Sequence, residues 1–83
     1  SRVEAEAWEG VDRDLFETLR GVRMQIARSR GVPPYVVFHD TTLREMARLK
    51  PQTMDALRTV YGDGARKAED LGEALLEALR GHS

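Results

Sequence analysis

The chain has 83 residues, of which 41% are hydrophobic and 33% charged, with no cysteine and a formal net charge of −1. This length suffices for a single domain. The apolar content argues against disorder, and the lack of cysteine excludes disulfide scaffolds and Cys-ligated zinc sites. No apolar run approaches the ~18 residues of a membrane span, and a chain so near neutrality can bind phosphate only through a local patch, hence weakly.

Residues 1–11 form an acidic linker on this reading. Glu4, Glu6 and Glu9 alternate with alanines around a single tryptophan, Trp8. The polar start is no signal peptide and lacks an initiator Met, so the chain reads as a piece of a longer protein. Two roles stay open for Trp8: it belongs to a solvated tail, or it covers a groove on the domain that follows.

The domain proper is placed at residues 12–81. Its first helix is predicted from about Asp12 to Ser29, because Val11, Leu15, Leu19, Val22 and Ile26 recur on one helical face. Asp12 and Asp14 suit its N-terminal end, Arg28 and Arg30 its C-terminal end, and Gly31 is its stop. The run VPPYVVF follows. Two prolines block helix continuation, and Val36, Val37 and Phe38 have no second strand to pair with, so this segment is expected to be an irregular or single-turn plug of the core.

A second helix is predicted from Asp40 as N-cap, with Thr42 and Glu45 as a competing capping box. Its inward face is Leu43, Met46 and Ala47, and Pro51 ends it. A third begins at Thr53 and shows Met54, Leu57 and Val60 to the core before Gly62. The last spans about Ala65 to Arg80, with Ala68, Leu71, Leu75 and Leu79 inside and Gly81 closing it. The expected fold is all-α: a compact bundle of four main helices plus short helical turns.

Three segments in this order carry a family likeness: LFETLRGVRMQIARSRGVPPYVVF, DTTLREMARLKPQTMDALRTV and YGDGARKAEDLGEALLEALR. Together they resemble the HRDC domain of RecQ helicases and of ribonuclease D, over roughly residues 12 to 80 of this chain, and the spacing favours the RecQ kind. The resemblance implies a monomeric, non-catalytic accessory module with no cofactor. It would tune the substrate choice of a bacterial, cytoplasmic, nucleoid-associated ATP-dependent helicase of DNA repair and recombination. Its implied partner is single-stranded or structured DNA, bound weakly. Other domains of the same helicase, a partner protein, or RNA in a ribonuclease D-like enzyme are the alternatives.

The residues offer three candidate contacts. Tyr35 follows two prolines and is stiffly held; in the family the aromatic at this motif position can take part in single-stranded DNA binding, by stacking on a base. The plainer reading, a ring half buried on the first helix, is compatible with that. Arg20, Arg23 and Arg30 fall in one helical sector of roughly 80° and could frame Tyr35, or could pair with Glu17 and the acidic tail as ordinary surface charges. Gly62-Asp63-Gly64 resembles a helix-hairpin-helix turn, with Arg66 and Lys67 just after it, where backbone N–H groups hold phosphate. Asp63 opposes that use and favours a structural corner. No metal-ligand spacing surrounds His39 or His82, and no nucleophile has a base beside it, so no catalytic residue is expected.

Overall fold

The structure is a computed structural model that describes residues 1–62 and 69–82, with side chains for 1–62 and 71–82. Six helices are present among the described residues: α1 (Arg2–Ala7), α2 (Arg13–Arg30), α3 (Pro34–Val37), α4 (Asp40–Leu49), α5 (Met54–Tyr61) and α6 (Glu69–His82). The fold is all-α. α2 is the central element and packs on α6, α3 and α4, while α5 joins α4 to α6. The predicted hairpin, with Asp63, Arg66 and Lys67, and the start of the last helix, with Ala68, lie outside the described residues.

Local chemistry sets most helix ends. The Asp12 side chain caps α2 by accepting from the Leu15 N–H at 3.1 Å. That bond is the main cause that holds its carboxyl below the ordinary aspartate value; burial opposes it, and the contacts with Lys50 and His82 lower the value further. At the far end Gly31 takes φ 66°, its N–H reaches the Arg28 carbonyl, and the Val32 N–H reaches back to Ala27 at 3.0 Å. This is a Schellman stop, which favours glycine because φ is positive. Thr53, where the third helix was expected to begin, is the cap of α5 and accepts from the Ala56 N–H at 3.1 Å.

α4 departs from expectation. Its N-cap is His39, with no side-chain cap bond, and Asp40 is already helical. The Asp40 carboxylate is engaged instead by Arg23. α4 ends at Lys50 in the left-handed region, φ 50°, just before the buried Pro51. α6 also continues through Gly81 to His82.

The core is made by Leu15, Phe16, Leu19, Leu43, Met46, Leu57, Leu75 and Leu79 with their neighbours. On α2 the buried stripe is Leu15, Leu19, Arg23 and Ala27; Val22 and Ile26, expected inside, are only partly buried and flank it. An arginine thus occupies a core position.

α5 meets α6 at Gly72. A Cβ there would stand 2.9 Å from the Met54 sulfur and 3.2 Å from the Tyr61 hydroxyl. Gly72→Ala is expected to be nearly neutral, because displacing the flexible Met54 tip offsets the ~1 kcal/mol gain in helix propensity. Gly72→Leu should drive the helices apart and cost about 1–3 kcal/mol. Thermal melting of the two variants checks this; equal melting points would mean that the crossing is not tight.

Candidate nucleic-acid interface

The turn after α2 presents one aromatic ring outward. Pro33 is extended (ψ 149°), and Pro34 starts the four-residue α3. The Val36 N–H bonds the Pro33 carbonyl at 3.0 Å, and the Phe38 N–H bonds that of Pro34 at 3.4 Å. Val37 and Phe38 point into the core at 4% and 3% exposure, whereas Tyr35 is 61% and Val36 50% exposed. One turn therefore anchors two side chains and projects the other two. The His39 ring lies 6.1 Å from the Tyr35 ring at a tilt of 31°, which gives the exposed ring a flanking neighbour.

The three arginines of α2 do not converge on this ring. Arg20 is exposed and paired with Glu17 at 2.9 Å. It lies about 15 Å along the helix from Arg30. Arg30 is exposed in the last turn, beside Arg28, and compensates the negative end of the helix dipole where Tyr35 emerges. Arg23 is turned inward. Its Nη1 donates to the Phe38 carbonyl at 2.9 Å and to Asp40 at 2.7 Å, and its Nε is buried without a protein partner. Arg23 thus holds the α3 plug and the start of α4 against α2, a structural task that its place in the sequence did not suggest. Of the residues expected at this site, Tyr35 and Arg30 are the two that lie at this end of the helix.

A second group, not anticipated as a site, lies at the other end of α2. The Trp8 ring packs edge-on against Phe16, centroids 4.8 Å apart. The Arg13 and Arg44 Cζ atoms stand 4.5 and 5.4 Å from its centroid. The chain before it is tied down by Arg48, which donates to the carbonyls of Glu9 and Ala7, both at 2.9 Å. Residues 1–11, expected as an acidic linker, contain the short helix α1 and the Trp8 ring; of the two roles for Trp8, the structure has the docked one. Trp8, Arg13, Phe16, Glu17, Arg20 and Asp40 line a shallow hollow of about 300 Å³. A lone aromatic among glutamates was the only sequence signal for it.

A third hollow lies where Asp12 meets Lys50 at 3.3 Å and His82 at 3.1 Å. The carboxylate is fully used there as cap and ion-pair partner. Among the described residues no three His, Asp or Glu side chains gather as metal ligands, and no helix is long and apolar enough to cross a membrane.

The sequence profile of the HRDC domain matches residues 12–79. The chain is 39% identical over 71 residues to the ATP-dependent DNA helicase RecQ of Pasteurella multocida, covering 86% of the chain and 11% of that protein. It is 41% identical over 70 residues to RecQ of Bacillus subtilis, covering 84% of the chain and 12% of that protein. It is also 41% identical over 73 residues to the ATP-dependent DNA helicase UvrD2 of Mycobacterium tuberculosis, covering 88% of the chain and 10% of that protein. The chain therefore spans about a tenth of the length of the curated relatives it matches.

Proposed function

Since the chain belongs to the HRDC domain family, a family of non-catalytic accessory domains, we propose that it serves a RecQ-type ATP-dependent DNA helicase by presenting Tyr35 to single-stranded or structured DNA. One observation carries this reading: a tyrosine 61% exposed on a turn whose next two apolar residues but one, Val37 and Phe38, are locked in the core. A ring held this way loses little freedom when a base stacks on it, and base–aromatic stacking is worth roughly 1–3 kcal/mol. Arg30 supplies charge at the same end of α2. The wider role is to tune which DNA structures the motor engages in repair and recombination, in the cytoplasm at the nucleoid and as a monomer. The similarity to UvrD2 is as high as that to RecQ, and an accessory DNA contact suits either motor.

With a net charge of −1 and few cations beside the ring, affinity for a single-stranded oligonucleotide should lie in the non-specific range, about 10⁻⁴–10⁻⁶ M at physiological salt. Tyr35→Ala should weaken it by the stacking contribution and leave the melting point unchanged, since the ring is largely exposed. An NMR titration at low and moderate salt checks both. Submicromolar binding, or binding indifferent to Tyr35, would overturn the reading.

A second reading has its own support. Tyr35 and the 50%-exposed Val36 make a small apolar tip, and the near-neutral chain suits a surface that docks on another domain of the helicase. Docking of that kind would be insensitive to salt, whereas phosphate contacts weaken steeply with it.

A further inference from the structure

Trp8 at the N-terminal end of α2 has two guanidinium groups over it, and neither has a carboxylate partner among the described residues. Among the described residues Arg13 makes only the ring contact, and Arg44 adds only the Thr41 hydroxyl at 3.5 Å. The two carboxylates lining the adjacent hollow are already engaged, Glu17 by Arg20 at 2.9 Å and Asp40 by Arg23 at 2.7 Å. Arg13 and Arg44 therefore provide a local surplus of positive charge in a chain whose net charge is −1.

Stacking on an indole orients a guanidinium without consuming its N–H donors. Two such groups on one ring form a pre-set pair of forks for oxyanions. Arg20 lies on the same face of α2 as Arg13, about 10 Å further along; it is paired with Glu17 in an exposed bridge that a phosphate can exchange with, so the cations follow a line. A repeating chain of phosphates matches that line better than a single anion does.

We propose that Arg13 and Arg44, set by Trp8, form a second contact that takes the phosphate backbone of a nucleic-acid strand. This rests on the nucleic-acid reading above and adds to it a site about 25 Å along α2 from Arg30. Tyr35 would read the strand by stacking at one end and the Trp8 patch would hold its backbone at the other. It also assigns a task to the N-terminal segment, whose docking brings Trp8 to the two arginines.

Trp8 is the only tryptophan, so its emission reports on this site alone. The 83-residue chain is titrated with oligothymidylate, and in parallel with a poly-glutamate peptide, at several salt concentrations. The expected result is a change in Trp8 emission on adding the oligonucleotide. Binding by the double variant Arg13→Gln, Arg44→Gln should be several-fold weaker, with a salt slope lower by about 0.7 per arginine removed. The corresponding double lysine variant keeps the charge and should keep most of that slope. Arg2→Gln, an exposed charge change on α1, should alter neither, and thermal melting confirms that each variant is folded. If the double glutamine variant binds as the parent does while Tyr35→Ala still weakens binding, the patch is wrong and the nucleic-acid reading stands. If no folded variant nor the parent binds the oligonucleotide even at low salt, both fall. A Trp8 response to poly-glutamate at equal or lower concentration overturns the assignment to nucleic acid in favour of an acidic protein segment.

Discussion

Arg23→Ala is expected to cost about 3 kcal/mol, a large part of the ~5–15 kcal/mol that holds a domain folded. The side chain is 8% exposed and donates to a buried backbone carbonyl, that of Phe38. Its removal takes a charged donor away from that buried carbonyl, worth about 1–3 kcal/mol, and removes the packing of its methylene stem along the buried stripe of α2. Asp40 contributes less to the loss, because its carboxylate is 59% exposed and returns to water. Arg23→Met keeps the stem and should recover part of the loss. Asp40→Asn keeps an acceptor for a guanidinium that cannot shed its charge, so it should be milder than Arg23→Ala.

Arg23→Lys separates this structural role from a DNA contact. A lysine preserves the charge a phosphate would meet but cannot reproduce the two-acceptor fork. It should melt well below the parent, and it should lose oligonucleotide affinity only as the α3 plug loosens and Tyr35 loses its fixed direction. Melting curves and titrations on the folded variants distinguish the two: an unchanged melting point for Arg23→Ala with a large drop in affinity would make Arg23 a ligand contact after all.

How far the fold was legible follows from the same residue. At about 100° per residue, Val22 and Arg23 both border the stripe through Leu15 and Leu19, on opposite sides. Hydrophobicity favours Val22 for the inside. The structure takes Arg23, because the plug packed on that side brings a carbonyl and a carboxylate that only a long donor can satisfy. No pattern within α2 encodes this; it depends on residues 15 and 17 positions further on. The same contact explains why Asp40 is not the cap of α4: its side chain is committed to Arg23. By contrast, Gly31, Thr53 and the Pro-Pro turn act on their immediate neighbours, and each did what its chemistry implied. The single turn that carries Tyr35 was legible for that reason. The Trp8 cluster was only half legible, since its partners Arg13, Phe16 and Arg44 come from two helices and none is singled out by spacing. Arg20 and Arg30 lie in one sector of the helix, as read, but axial separation keeps them apart. Arg66, Lys67 and Asp63 lie outside the described residues.

Trp8→Ala should cost about 2–3 kcal/mol, which for a domain of this size is a fall of roughly 8–24 °C in melting temperature. The ring is half-buried. Its edge-to-face contact with Phe16 is worth about 0.5–1.5 kcal/mol beyond area, each exposed cation–π contact about 0.5–1 kcal/mol, and the apolar area covered adds to these. Deleting residues 1–6 should cost much less, under ~1 kcal/mol, because α1 buries no residue and its ion pair Arg2–Glu6 is exposed. The deletion spares Ala7 and Glu9, whose carbonyls anchor Arg48. Comparing the two variants locates the functional start of the domain. A large loss for Trp8→Ala with a small one for the deletion puts that start at Ala7 or Trp8, ahead of residue 12 where the family profile begins. If Trp8→Ala melted with the parent, residues 1–11 would be a linker in energy as well as in composition, and the arginines would have to hold their places without the ring.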